Sequence, residues 1–116
     1  MTTATNYAPS KDPENVEPYF FVWCSLDGTN DGGATDTGEL QGATISSQTL
    51  TGTGVTVDSD NTSAVTIQGV SYAINTVATA WLSGGTANTD ATLHCQIVTS
   101  DSRTLEKTMN IRIREA

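Results

Sequence analysis

The chain has 116 residues, of which 36% are hydrophobic and 16% charged, with a formal net charge of −8 at neutral pH. That length suits one domain, and so small an apolar fraction suits short half-buried strands better than a broad interior. The acidity excludes a nucleic-acid partner, because holding phosphates requires clustered Lys or Arg.

Residues 1–18 hold all three prolines, Pro9, Pro13 and Pro18, among polar residues. Proline fixes φ and removes a backbone donor, so this stretch is expected to be an extended arm preceding a single domain over 19–116. It has no apolar stretch of the kind that forms a secretory signal, and no later run approaches the ~20 apolar residues that cross a bilayer. Synthesis in a reducing cytoplasm, away from membranes, is the expectation. Cys24 and Cys95 are then expected as free thiols, with an inter-sheet disulfide as the alternative.

Tyr19 to Leu26 reads as a strand that is apolar on both sides. By the two-residue period, Phe20, Val22, Cys24 and Leu26 share one face, from which Val22 and Cys24 are expected in the core, and Tyr19, Phe21 and Trp23 occupy the opposite face. A strand on an independent sandwich normally has one polar face. Tyr19, Phe21 and Trp23, helped by Pro13 and Pro18, are therefore the expected contact with another subunit, the alternative cover being the arm itself. On that reading Trp23→Ala weakens assembly more than folding.

Asp27 to Glu39 is a Gly- and Asp-rich loop whose opening resembles a calcium loop. The match fails at Thr29 and at the twelfth position, which is Gly38 where a bidentate acid is needed, so an acidic turn is expected. From there strands are expected over 43–50, 53–57, 64–74, 77–82, 91–99 and 105–114, with 58–63 as a turn. Trp81 is expected to pack internally. Leu93, Cys95 and Ile97 alternate inward against His94, Gln96 and Val98; Met109, Ile111 and Ile113 repeat the pattern on the last strand. About seven short strands with regular turn signals describe an all-β, immunoglobulin-like antiparallel β-sandwich.

No catalytic constellation is present. His94 is the single histidine and falls on a solvent face, without a nucleophile or an orienting acid. The two cysteines form no CxxC pair and no Cys/His ligand set. Gly84-Gly85 follows a strand with no helix behind it, so it reads as a turn and not a phosphate cradle. Asn61-Thr62-Ser63 fits the glycosylation pattern but has consequences only on a secretory route. The expectation is a protein without enzymatic activity, cofactor or metal.

Two groups of residues carry a resemblance. Lys11-Asp12-Pro13 and the aromatic strand Tyr19 to Trp23 stand near the front. Ala80-Trp81-Leu82-Ser83-Gly84-Gly85-Thr86, Leu93-His94-Cys95-Gln96-Ile97 and Arg103-Thr104 stand near the end. Together they resemble the fiber-tail adaptors of tailed phages, covering both ends of the chain well and 51–76 poorly. Ser102 departs from the pattern, since glycine is usual there. The resemblance implies a virion component, assembled in the host cytoplasm, that links tail and fibre through contacts with other virion proteins, in an oligomeric assembly. A capsid decoration or cement protein and an Ig-like module of a bacterial surface protein are the alternatives.

Overall fold

A computed structural model describes residues 11–114 of the chain. Residues 1–10, with Pro9, lie outside the described residues, so only the second half of the expected arm can be placed.

The described residues form eight strands and no helix: β1 (Glu17–Val22), β2 (Ile45–Thr53), β3 (Thr56–Asn61), β4 (Val65–Ile67), β5 (Val70–Tyr72), β6 (Val77–Ser83), β7 (Asp90–Thr99) and β8 (Thr104–Arg112). They pair antiparallel in three sheets, ordered β1-β6-β3, β2-β7-β8 and β4-β5. The β7–β8 hairpin is the plainest product of the sequence. Strict alternation places Leu93, Cys95, Ile97, Met109 and Ile111 inward, all fully buried, and the register joins Leu93 to Met109 and Ala91 to Ile111. Each such side chain contributes about 1.5–3 kcal/mol when fully covered.

The polar segment 58–61, expected to turn, instead completes β3 along the edge of β6. Its backbone pairs despite the lack of apolar side chains, with a register shift between Val57 and Ser59 that absorbs Asp58. Gln48 Nε2 on β2 donates to Asp60 Oδ1 at 3.0 Å, tying the edges of two sheets together. The stretch expected as one strand over 64–74 is a tight hairpin. Gln68 and Gly69 both take positive φ, 50° and 83°, the two-residue turn that matches strand twist. Tyr72 at its end is buried and donates its hydroxyl to the Leu26 carbonyl at 2.7 Å.

Lys11 opens the described chain with a parallel bridge to Ile113. Its N–H donates to the Arg112 carbonyl at 3.0 Å, and its carbonyl accepts from Arg114 N–H at 2.8 Å. A turn around Pro13, closed by Asn15 N–H to the Asp12 carbonyl at 3.1 Å, then leads to β1. Residues 11–18 are thus bound to the body of the protein through the final strand.

Candidate interaction surface

The face of β1 decides which side chains can meet a partner. Directly opposed residues of an antiparallel pair point to the same side of the sheet. Tyr19 is opposed by Ala80 and Phe21 by Ala78, and both alanines are fully buried. Small residues on β6 leave the volume that the rings on β1 fill. Tyr19, Phe21 and Trp23 are accordingly covered by the chain's own segments, each 2% exposed or less. This corrects the expectation that these three rings form a surface anchor: they are the core. Val22 and Cys24 on the alternate face are buried as well, as expected. From Pro18 to Val22 β1 is apolar at every position, so that stretch carries no internal sign of which face is inward, and β6 supplies it.

The same register corrects Trp81. Ala78, Ala80 and Leu82 take the inner positions of β6, so Trp81 points outward and is 39% exposed. It is opposed by Pro18 on β1 and Ser59 on β3, and its neighbour pair is Phe20 with Thr79. Pro18 and Phe20 are half-buried, and Val16, just ahead of β1, is exposed. Phe20 shares the parity of Pro18 and is partly buried, and Leu26 is exposed. Pro13 is half-buried in the turn after Lys11.

Beneath the rings lies a charged unit that alternation could have revealed. Lys107 shares the inward parity of Leu105 and Met109. Its Nζ pairs with Glu39 Oε2 at 2.9 Å, donates to the Val22 carbonyl at 3.1 Å and sits 4.4 Å from the centre of the Trp23 ring. Desolvation pushes the Lys107 pKa down, and the Glu39 carboxylate opposes that shift. Arg103 holds the same loop from its other side, donating to the carbonyls of Glu39 and Leu40 at 3.0 and 2.8 Å. The loop cannot retreat far, for Gly38 lies against the backbone of Cys24, where a Cβ would come within 2.3 Å. The Trp23 indole N–H finds no full hydrogen-bond partner and has the Cys95 thiol, a weak acceptor, beside it.

The acids of the 27–39 loop fold the loop itself. Asp27 accepts from Thr29 N–H, Asp31 from Gly33 N–H, and Asp36 from both Gly32 and Gly38 N–H, at 2.8–3.0 Å. Among the described residues no group of three or more His, Cys, Asp or Glu side chains is placed to hold a metal ion. Both cysteines are unbonded and buried. Burial pushes the Cys95 thiol up to about 12, and that of Cys24 upward as well. His94 lies on the outer face of β7, bridging Glu106 at 3.0 Å and Thr108 at 2.9 Å. None of these groups is joined to a second reactive side chain in a way that supports bond-making chemistry.

The residues that carry the resemblance have structural tasks. Lys11 is fully buried, and its Nζ donates to the carbonyls of Asp12 and Gly84 at 2.9 and 2.8 Å. The Lys-Asp-Pro segment and the Gly-Gly turn, 73 positions apart in sequence, thereby form one joint. At the β7–β8 turn Arg103 grips Asp101 at 2.9 Å, and Ser102 adopts a φ of 68°, a left-handed conformation that glycine occupies freely. That geometry explains why glycine suits the position.

No match was found among curated proteins or among solved structures. A family model does match, over residues 11–112, from the buried lysine to the last residue of β8. The chain belongs to the podophage GP4 fiber-tail adaptor protein gp77 family.

Proposed function

We propose that this chain is a structural part of a podophage virion that joins tail and fibre by protein–protein contact, without catalysing a reaction. The observation that carries the reading is the family match across 11–112, which includes every strand of the fold. The chemistry agrees with it. Side chains that could have been reactive are spent on architecture: Lys107 and Glu39 under Trp23, Lys11 on backbone carbonyls, both thiols buried.

We read the architecture as an immunoglobulin-like sandwich. Setting aside the β4–β5 hairpin, the orders β1-β6-β3 and β2-β7-β8 correspond to the B-E-D and C-F-G sheets of that fold. The parallel bridge from Lys11 to β8 supports the same correspondence, as a leading segment that crosses to the second sheet.

Particles made without this chain test the function. An adaptor leaves tails that form but carry no fibres, and the chain's copy number in wild-type particles is a small multiple of the tail symmetry. A decoration protein instead follows the capsid lattice in number and leaves fibre attachment intact when removed.

A further inference from the structure

The outer face of the β1-β6-β3 sheet carries an apolar strip on β1 and β6, bordered by Ser59, Thr79 and Ser83, where an isolated sheet would be polar throughout. Trp81 stands on its central strand, flanked by Pro18, with Phe20 one pair further along. Beyond them Val16 is 55% exposed and shares their parity. A half-exposed Trp framed by proline and phenylalanine is the composition of an interface centre.

The charge around that centre narrows the occupant. Ser83 has the parity of Trp81 and donates to Asp58 Oδ1 at 2.8 Å, which sets a carboxylate beside the strip. Glu14 is exposed just ahead of β1. Of the five basic residues, Lys11 and Lys107 are turned into the protein, Arg103 and Arg112 are each held by an aspartate, and Arg114 is exposed at the end of the described residues. The net charge of −8 is therefore displayed with little relief. Two copies meeting through this face would bring like charges together, whereas a basic surface would be drawn in.

We infer that this face docks a neighbouring virion protein through an apolar hollow that receives Trp81 and is ringed by Lys and Arg. The inference rests on the adaptor reading and names the surface that reading requires.

The test uses purified particles assembled without this chain as the probe, with the purified full chain added back. Bound chain is quantified across protein concentration and salt, and a thermal melt of each variant checks folding. The wild-type chain is expected to bind, more weakly as salt rises. Trp81→Thr, which keeps a strand-forming residue, is expected to lose roughly thirtyfold in affinity, the loss typical of a central aromatic anchor. Asp58→Lys, which keeps Trp81, is expected to bind several-fold more weakly at low salt, with the gap closing at high salt. Val98→Thr, on the outer face of the other sheet, is expected to bind as wild type does.

Full binding by a folded Trp81→Thr chain overturns the proposal. Binding that ignores both salt and Asp58→Lys overturns the basic partner. A concentration-dependent dimer that Trp81→Thr abolishes assigns the face to a second copy. Acrylamide quenching of Trp81 that rises when residues 1–10 are deleted assigns it to the chain's own leading segment. Failure of the wild-type chain to bind at all defeats the adaptor reading together with the proposal, an outcome distinct from failure of the Trp81 variant alone.

Discussion

Replacing Lys107 by Met probes the link between the 27–43 loop and the core. Met preserves the unbranched stem against Trp23 while removing the charge and its donors. Losing one partner of a buried ion pair costs about 3–5 kcal/mol. Glu39 keeps some access to water, its side chain being 24% exposed, so about 2 kcal/mol is appropriate for that part once solvent screening is allowed for. The Val22 carbonyl loses its lysine donor, adding about 1 kcal/mol, and the cation over the Trp23 ring adds about 1 kcal/mol more. The expected loss is about 4 kcal/mol, a large share of the ~5–15 kcal/mol typical of a domain. Equilibrium urea unfolding followed by circular dichroism measures it. Glu39→Gln in the same chain removes the stranded charge, so the double variant is expected to be more stable than Lys107→Met alone by at least about 1 kcal/mol. The cost should also change little between about 0.1 and about 1 M NaCl, unlike that of an exposed pair. A loss below about 1 kcal/mol, or a double variant whose loss equals the sum of its parts, refutes a coupled buried unit.

Trp23→Ala is expected to cost about 3–5 kcal/mol in the isolated chain, as large-to-small changes in a core do; a variant that melts with the wild type would return Trp23 to the surface. Ser102→Gly should stabilise the chain by about 0.5 kcal/mol, because relief of the left-handed backbone exceeds the added freedom of the unfolded glycine, and a lower melting temperature would contradict that. At alkaline pH the buried acids oppose unfolding less and less. Desolvation, with Glu17 nearby, holds the Tyr19 hydroxyl up to about 12, and burial does the same for Cys95. The folded chain keeps protons that the unfolded chain gives up from about pH 9 onward, so stability should fall between pH 9 and 12. Lys107, pushed downward, acts in the opposite sense, but Cys24 and Tyr72 are raised along with Tyr19 and Cys95. A melting temperature that is flat or rising across that range would contradict their burial.

The strands that could be read directly were those whose side chains alternate. β7 and β8 announce both their existence and their inner face, because polar and apolar residues trade places at each step. β1 announced only its existence. Its facing depends on Ala78 and Ala80, and their relevance appears only once the register with β6 is known. β3 was hidden because an edge strand can be held by backbone pairing and by Gln48, without apolar side chains of its own. The break at Gln68-Gly69 was visible in principle as a Gly-containing turn, though Val65, Ile67 and Val70 on either side imitate a continuous strand. Lys107 was legible by parity and Lys11 was not, since nothing local indicates that a lysine ahead of an Asp-Pro turn will be wholly enclosed by a distant turn. The outward Trp81 follows from the same alternation that sends Ala80 and Leu82 inward.

Because Lys11 and Arg114 are joined by a backbone hydrogen bond, the described chain enters and leaves at a single pole. Lys11 and Arg114 therefore share the pole of the Gly84 turn, whereas Leu26 and Ile74 are exposed toward the far ends of β1 and β6. Exchanging the leading segment for that of another family member would also disturb the lysine's seat at Gly84, so a working chimera must inherit the front segment and the Gly-Gly turn from the same parent.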